Sequence, residues 1–326
     1  MSARRLPARD KLTICFAHVA YRMGERFALR NAGLGWFEVR ALDDLKARIA
    51  EVDVLLCSGL WRNELIAAAP RLVFIQSISA GTDQYSRDAL SAAGIRVASA
   101  QGANERAVAE HAIALILAMA RQIPQARDNQ TAKEWRGMIG DISKREDELG
   151  GKTLLIVGLG RIGSRLATLA KAFDMRVIGV RRDPSRGAGA ADTVVGESSL
   201  LGMLPQADFV ALTCPLTRET ENLIDTKAIA AMKPSAYLIN VARGKVVNEP
   251  ALVEALDKKR IAGAALDCVR EEPLPATSAL WSAPNVLITP HTAGETRRYE
   301  DNVIDLLLEN LERLWRGESA LTNQVV

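Results

Sequence analysis

The chain has 326 residues, 48% hydrophobic and 25% charged, which suits two globular domains of ordinary size and excludes a disordered or fibrous protein. Its formal net charge of +3 is small, and its basic residues are scattered among acids, so nothing points to nucleic acid. The four cysteines (Cys15, Cys57, Cys214, Cys268) form no Cys-x-x-Cys pair, which argues against a disulfide framework or zinc site and for a reducing, cytoplasmic setting.

In chain order, the amino-terminal MSARRLPARDK is basic, but no long apolar core of the secretory kind follows it. Short apolar runs at 12–17, 52–57 and 72–76 predict buried strands. Residues 104–121 form the longest helix candidate, with Asn104 as its expected cap. Its apolar part, 107–120, is interrupted by Glu110 and His111 and is too short to span a bilayer, so no membrane is expected. Residues 122–150 read as polar and irregular, ending in the turn-like Gly150-Gly151. A second strand series follows at 153–157, 175–180, 207–213, 235–240, 262–266 and 285–289, with helices expected at 161–173, 225–232 and 248–259. Strands alternating with helices predict parallel sheets covered on both faces. The last helix, EDNVIDLLLENLERLWRG, carries an apolar stripe and is expected to return to the first domain.

Gly158-Leu159-Gly160-Arg161-Ile162-Gly163 follows the strand LLIV and opens a helix, the setting that makes a G-x-G-x-x-G run a dinucleotide loop. Gly158 permits the tight turn, Gly160 lets the backbone approach a pyrophosphate, and Gly163 allows close helix–strand packing. The helix start offers unpaired N–H groups to the phosphates. At the end of the next strand, where an acidic residue would bind the ribose of NAD, the chain has Arg181-Arg182. A guanidinium there suits a 2′-phosphate, so NADP(H) is the expected cofactor and NAD(H) the second choice. Asp183 reads as a turn residue before Pro184.

Three histidines limit the general acids. His18 ends a strand, His111 lies within an apolar helix and reads as a core residue, and His291 follows the strand NVLIT, where α/β sheets place their sites. His291 is therefore the expected acid. Arg243, after the strand LIN, can fork onto a carboxylate. Glu272 would raise the pKa of His291 if the two met.

SISAGTDQY (77–85), ANERAVAEHAIALILAMAR (103–121), ELGGKTLLIVGLGRIG (148–163), TCPLTRET (213–220), INVARGKVVNEPAL (239–252), ALDCVREEPLP (265–275) and NVLITPHTAG (285–294) occur in one order. In these segments the chain resembles the D-isomer-specific 2-hydroxyacid dehydrogenases over nearly its full length. The resemblance implies an α/β fold of two doubly wound parallel-sheet domains with a cleft between them. A flavodoxin-like substrate domain would comprise 1–103 and 294–326, and a Rossmann coenzyme domain 104–293. It makes Arg243, Glu272 and His291 the catalytic trio, with hydride transfer from the nicotinamide to the keto carbon of a small 2-oxo acid. Ser79, Ala80 and Gly81 would offer backbone N–H groups to the substrate carboxylate, Asp267 would hold the nicotinamide carboxamide, and Cys214 and Pro215 would line the adenine pocket. Val241 is placed with that cofactor set. Leu60, Trp61, Arg62 and Trp281 are the expected pocket-closing residues, Trp61 being taken as a substrate contact. The helix 104–121 resembles the family's hinge and dimer element, so a homodimer is expected.

A glyoxylate/hydroxypyruvate reductase type is the first reading. A phosphoglycerate dehydrogenase is disfavoured because no room is left for a regulatory domain, and no feature calls for a formate or phosphite dehydrogenase. A dinucleotide-sensing corepressor is the alternative of a different class, since fold alone does not settle function.

Overall fold

The computed structural model describes residues 4–326; the first three residues of the basic amino-terminal segment lie outside the described residues. The described chain divides into two compact units, one running to Asn104 and resuming at Glu295–Val326, the other Glu105–Gly294.

In the first unit, β1 (Thr13–Ala17), β2 (Gly35–Val39), β3 (Val54–Cys57), β4 (Phe74–Ser77) and β5 (Arg96–Ala98) form one sheet in the order β2-β1-β3-β4-β5, every pairing parallel. This is the flavodoxin-like order. Alternate residues face opposite ways, so Ile14, Phe16, Val54, Leu56 and Phe74 enter one core and Cys15, Ala17, Leu55, Cys57 and Ile75 the other. The helix Tyr299–Trp315 covers the first of these faces with Val303, Ile304, Leu307 and Leu311. Its buried Asn310 amide donates to Gln76 at 3.0 Å and accepts from the Thr322 N–H at 2.8 Å, pairing polar groups that burial would otherwise leave costly.

In the second unit, β6 (Thr153–Val157), β7 (Arg176–Val180), β8 (Thr193–Val195), β9 (Phe209–Leu212), β10 (Tyr237–Asn240), β11 (Gly263–Leu266) and β12 (Val286–Ile288) form a parallel sheet in the order β12-β11-β10-β9-β6-β7-β8. The order reverses beside β6, as in the Rossmann arrangement, leaving a crevice at the carboxyl ends of β6 and β9. The expected α/β class with two parallel sheets is what the structure has.

Several local expectations change. Helix Glu105–Ala120 has 16 residues and Tyr299–Trp315 has 17, so the longest helix is the last one. The side-chain oxygen of Asn104 is buried with no hydrogen-bond partner, so it does not cap the helix that follows. The segment expected to be irregular contains the helix Ile123–Ala132, which has Pro124 in its first turn and no buried residue. Strands β2, β5 and β8 were not expected; each sits at a sheet edge. Among the described residues no single helix is long and apolar enough to cross a membrane.

Candidate active site

The glycine loop joins β6 to the helix Arg161–Lys171. Gly158 has φ +104°, and a Cβ there would stand 2.5 Å from the Cys214 nitrogen, so both conformation and crowding demand glycine. At Gly163 a Cβ would lie 2.4 Å from the Gly158 carbonyl oxygen, which fixes the closeness of helix to strand. Gly160 differs: a Cβ would meet nothing within 4 Å, so the open space lies in front of it. That space belongs to a cavity of about 570 Å³ at the carboxyl ends of β6, β7 and β9, bordered by Gly158, Gly160, Arg181, Cys214 and Pro215. The glycines, the helix start behind them and the open face at Gly160 fit a dinucleotide pyrophosphate. Arg161 and Ile162 form the first helical turn, Arg161 exposed and Ile162 half-buried.

Arg181 follows β7 directly and donates to the Gly187 carbonyl at 3.1 Å. Arg182 and Arg186, the latter not anticipated, border the same cavity. Asp183 turns its Oδ1 onto its own loop, accepting from the Ser185 N–H at 3.1 Å and hydroxyl at 2.6 Å. Its carboxylate therefore serves the turn, as expected for a residue before proline.

The catalytic candidates lie on the same sheet edge. After β10, buried Asn240 accepts from the Ala242 N–H at 3.0 Å and donates to the Arg243 carbonyl at 3.1 Å, shaping the turn that presents Arg243. Gly244 then passes so close to Val269 that a Cβ would fall 1.9 Å from its carbonyl carbon. After β11, Glu272 accepts from the Val269 N–H at 3.1 Å through Oε1 and lies 2.7 Å from His291 Nδ1 through Oε2. A carboxylate cannot donate, so Nδ1 carries the proton and Nε2 is left as the working nitrogen.

The hydrogen bond to Glu272 raises the pKa of His291 above its ordinary 6.5; burial and Arg243 act downward, but less. Burial pushes the Glu272 carboxyl upward, yet the hydrogen bond and charge of His291, with the Val269 N–H and Arg243, hold it below the usual range. The pair favours an imidazolium beside a carboxylate, the form that can give up a proton.

Asp267, 2% exposed, does not stand open as a simple cofactor contact. Its Oδ1 accepts from the Thr289 hydroxyl at 2.6 Å, the Thr292 N–H at 3.0 Å and the Ala293 N–H at 3.3 Å. Its Oδ2 accepts only the Ala293 N–H, at 3.1 Å, and so retains acceptor capacity. Val241 is buried at the end of β10.

The first unit's expected residues sort differently. Trp61 is 2% exposed, tilted against Tyr85 at 5.8 Å with its indole N–H on Asn63 at 3.0 Å; it props the loop from within the core. Leu60 is buried too, and Arg62 folds back onto the Gly59 and Trp61 carbonyls. Ser79 gives its N–H to the Ser77 hydroxyl at 3.1 Å, and its own hydroxyl lies 2.6 Å from that of Ser58. His18 accepts the Ala20 and Tyr21 N–H groups through Nδ1, a turn-closing role. In the second unit, Trp281 is exposed, its indole N–H on the Pro275 carbonyl at 2.9 Å.

A glycine loop at a Rossmann switch point and an imidazole–carboxylate pair on the same sheet edge define an NAD(P)-dependent oxidoreductase. The chain belongs to the D-isomer specific 2-hydroxyacid dehydrogenase family, whose NAD binding domain matches residues 113–293. Glyoxylate reductase from Pyrococcus furiosus is 36% identical over 293 residues, covering 87% of this chain and 86% of that one. Among solved structures, a D-isomer specific 2-hydroxyacid dehydrogenase family protein from Aeromonas salmonicida superposes with a TM-score of 0.84 at 30% identity, covering 97% of this chain and 99% of that one. An NADPH-dependent glyoxylate/hydroxypyruvate reductase from Sinorhizobium meliloti, solved with NADP and malonate, gives 0.81 at 28% identity, covering 97% of each chain.

Proposed function

We propose that this enzyme reduces a small 2-oxo acid of the glyoxylate or hydroxypyruvate kind to its D-2-hydroxy acid, with NADPH preferred over NADH. The observation that carries the reading is the 2.7 Å pairing of His291 with Glu272 on the sheet edge that also presents Arg243 and the glycine loop. When bound, the dihydronicotinamide supplies the hydride. His291 delivers a proton from Nε2 to the carbonyl oxygen, and Glu272 holds the imidazole in the tautomer that allows it. Arg243 takes the substrate carboxylate by paired N–H donors and offsets negative charge growing on the oxygen. Asp267, whose Oδ2 retains acceptor capacity, would hold the nicotinamide carboxamide. Gly158, Gly160, Arg161, Ile162 and Gly163 would hold the pyrophosphate, with Cys214, Pro215 and Val241 around the cofactor. In the first unit taken by itself, the Ala80 and Gly81 N–H groups are donors suited to a carboxylate.

NADPH is favoured by three guanidinium groups, Arg181, Arg182 and Arg186, at the end of β7, with the nearby Asp183 committed to its own turn. A homodimer is favoured by Trp135, Met138 and Ile142, exposed on one stretch beside a helix that buries nothing of its own. A cytoplasmic setting is favoured by four buried thiols, none in a disulfide among the described residues.

His291→Ala tests the acid. Its turnover with NADPH and glyoxylate should fall at least about a hundredfold, the usual worth of general acid catalysis. NADPH binding, read from nicotinamide fluorescence, should persist. Near-parental turnover would remove His291 from the mechanism.

A further inference from the structure

Partly buried hydrogen bonds behind His291 connect it to a helix that the mechanism has not used. Thr289, the last residue before Pro290-His291, lies 2.6 Å from Asp267 Oδ1 through its hydroxyl. The carboxylate brings no proton, so the hydroxyl must donate. Its oxygen can then only accept from His111 Nε2, 3.0 Å away on the helix Glu105–Ala120. That assigns the His111 proton to Nε2, a polarity also favoured by Asp267 Oδ1 at 3.5 Å from the same nitrogen.

The same Oδ1 accepts from Thr292 and Ala293, the residues just past His291. One carboxylate oxygen therefore grips the chain on both sides of the imidazole. The turn is closed by the His291 N–H on the Thr289 carbonyl at 2.9 Å. Between these ties His291 has φ +56°, a left-handed conformation that a non-glycine residue keeps only when its surroundings enforce it.

We propose that His111 and Thr289 are positioning residues for the proton transfer, orienting Asp267 so that it locks the His291 turn. This rests on the reading of His291 as the acid. Groups facing the imidazole are Glu272, Arg243 and Asp267, and the hydrogen bond to Glu272, the largest influence on it, depends on the ring's orientation.

The test compares Thr289→Val, Thr289→Ser, His111→Leu and His111→Gln with the parent and with His291→Ala, using NADPH and glyoxylate. Valine keeps the volume of threonine without the hydroxyl, serine restores the hydroxyl, and glutamine can supply an N–H where histidine had Nε2. Thr289→Val and His111→Leu should lose kcat about tenfold or more, the scale set by small misplacements of a catalytic group. The NADPH dissociation constant should stay within about threefold, and the alkaline limb of the pH profile should move to lower pH as the Glu272 pairing weakens. Thr289→Ser and His111→Gln should recover most of kcat and return the limb.

Parental kcat and pH profile in Thr289→Val and His111→Leu, with His291→Ala inactive, would overturn the proposal and leave the acid assignment standing. Parental activity in His291→Ala would overturn both. Should Thr289→Val fail to fold, the His111→Leu and His111→Gln pair decides: equal loss of stability with unchanged kcat and pH profile contradicts the proposal, and glutamine rescue supports it.

Discussion

Replacing Glu272 with glutamine removes a charge while keeping the shape of the side chain. The amide oxygen can still accept from the Val269 N–H, so the loop after β11 should hold. What is lost is a charge-assisted contact at 2.7 Å to His291 Nδ1. Hydrogen bonds to charged groups contribute about 1.5–3 kcal/mol. With the two side chains 43% and 37% exposed, solvent screening favours the low end. Only the part of that worth which favours imidazolium over neutral imidazole enters the pKa of His291, and losing it lowers that pKa. The sign follows from direction. His291 is held above 6.5, so it stays protonated further into the alkaline range and reduction fails only as pH rises through the raised value. In Glu272→Gln, burial and Arg243 still act downward with the main upward influence gone. The alkaline limb of kcat/KM for 2-oxo acid reduction should therefore move to lower pH. Oxidation of the hydroxy acid, which needs neutral imidazole, should extend to lower pH by the same amount. The assay is a set of initial rates from pH 5 to 10 in both directions. A variant with native circular dichroism and an unmoved alkaline limb would refute the reasoning.

Arg181→Asp should reduce kcat/KM for NADPH by about 10- to 100-fold, the worth of a charge-assisted hydrogen bond to phosphate, and affect NADH far less; an unchanged ratio would take Arg181 out of cofactor selection. Gly163→Ala should lower thermal stability by about 1–3 kcal/mol because its methyl group must displace backbone, whereas Gly160→Ala should melt normally yet bind cofactor weakly. Equal melting temperatures for the two variants would contradict the packing argument. Trp135→Ser should shift a dimer toward monomer on dilution in sedimentation experiments without unfolding it; a parent chain that is already monomeric would refute the dimer reading.

How much of this could be read before the structure depended on burial. The central strands are continuous apolar runs, such as TLLIV for β6, because helices cover both faces, so they were visible in the sequence. Three of the four edge strands were not, β12 being the exception: GWFEV and RVA, for instance, pack on fewer neighbours and carry too little apolar pattern to separate them from loop. Helix Ile123–Ala132 escaped for the opposite reason, having no buried face to impose a period.

In the site, the glycine loop was legible from its strand–turn–helix spacing and His291 from its place after a strand, whereas Arg243 and Glu272, which alone read as surface charges, drew their weight from the family resemblance. Asn240, Thr289 and His111 were not legible. The contact from His111 to Thr289 crosses 178 positions, and no local pattern encodes a hydrogen bond of that separation.

The most direct test of the central claim is the initial rate of dihydronicotinamide oxidation by the purified protein, with NADPH and NADH in parallel against glyoxylate, hydroxypyruvate and larger 2-oxo acids. The account predicts rapid, NADPH-favoured reduction of a small 2-oxo acid. No turnover with any of them, from protein that demonstrably binds the cofactor, would contradict it.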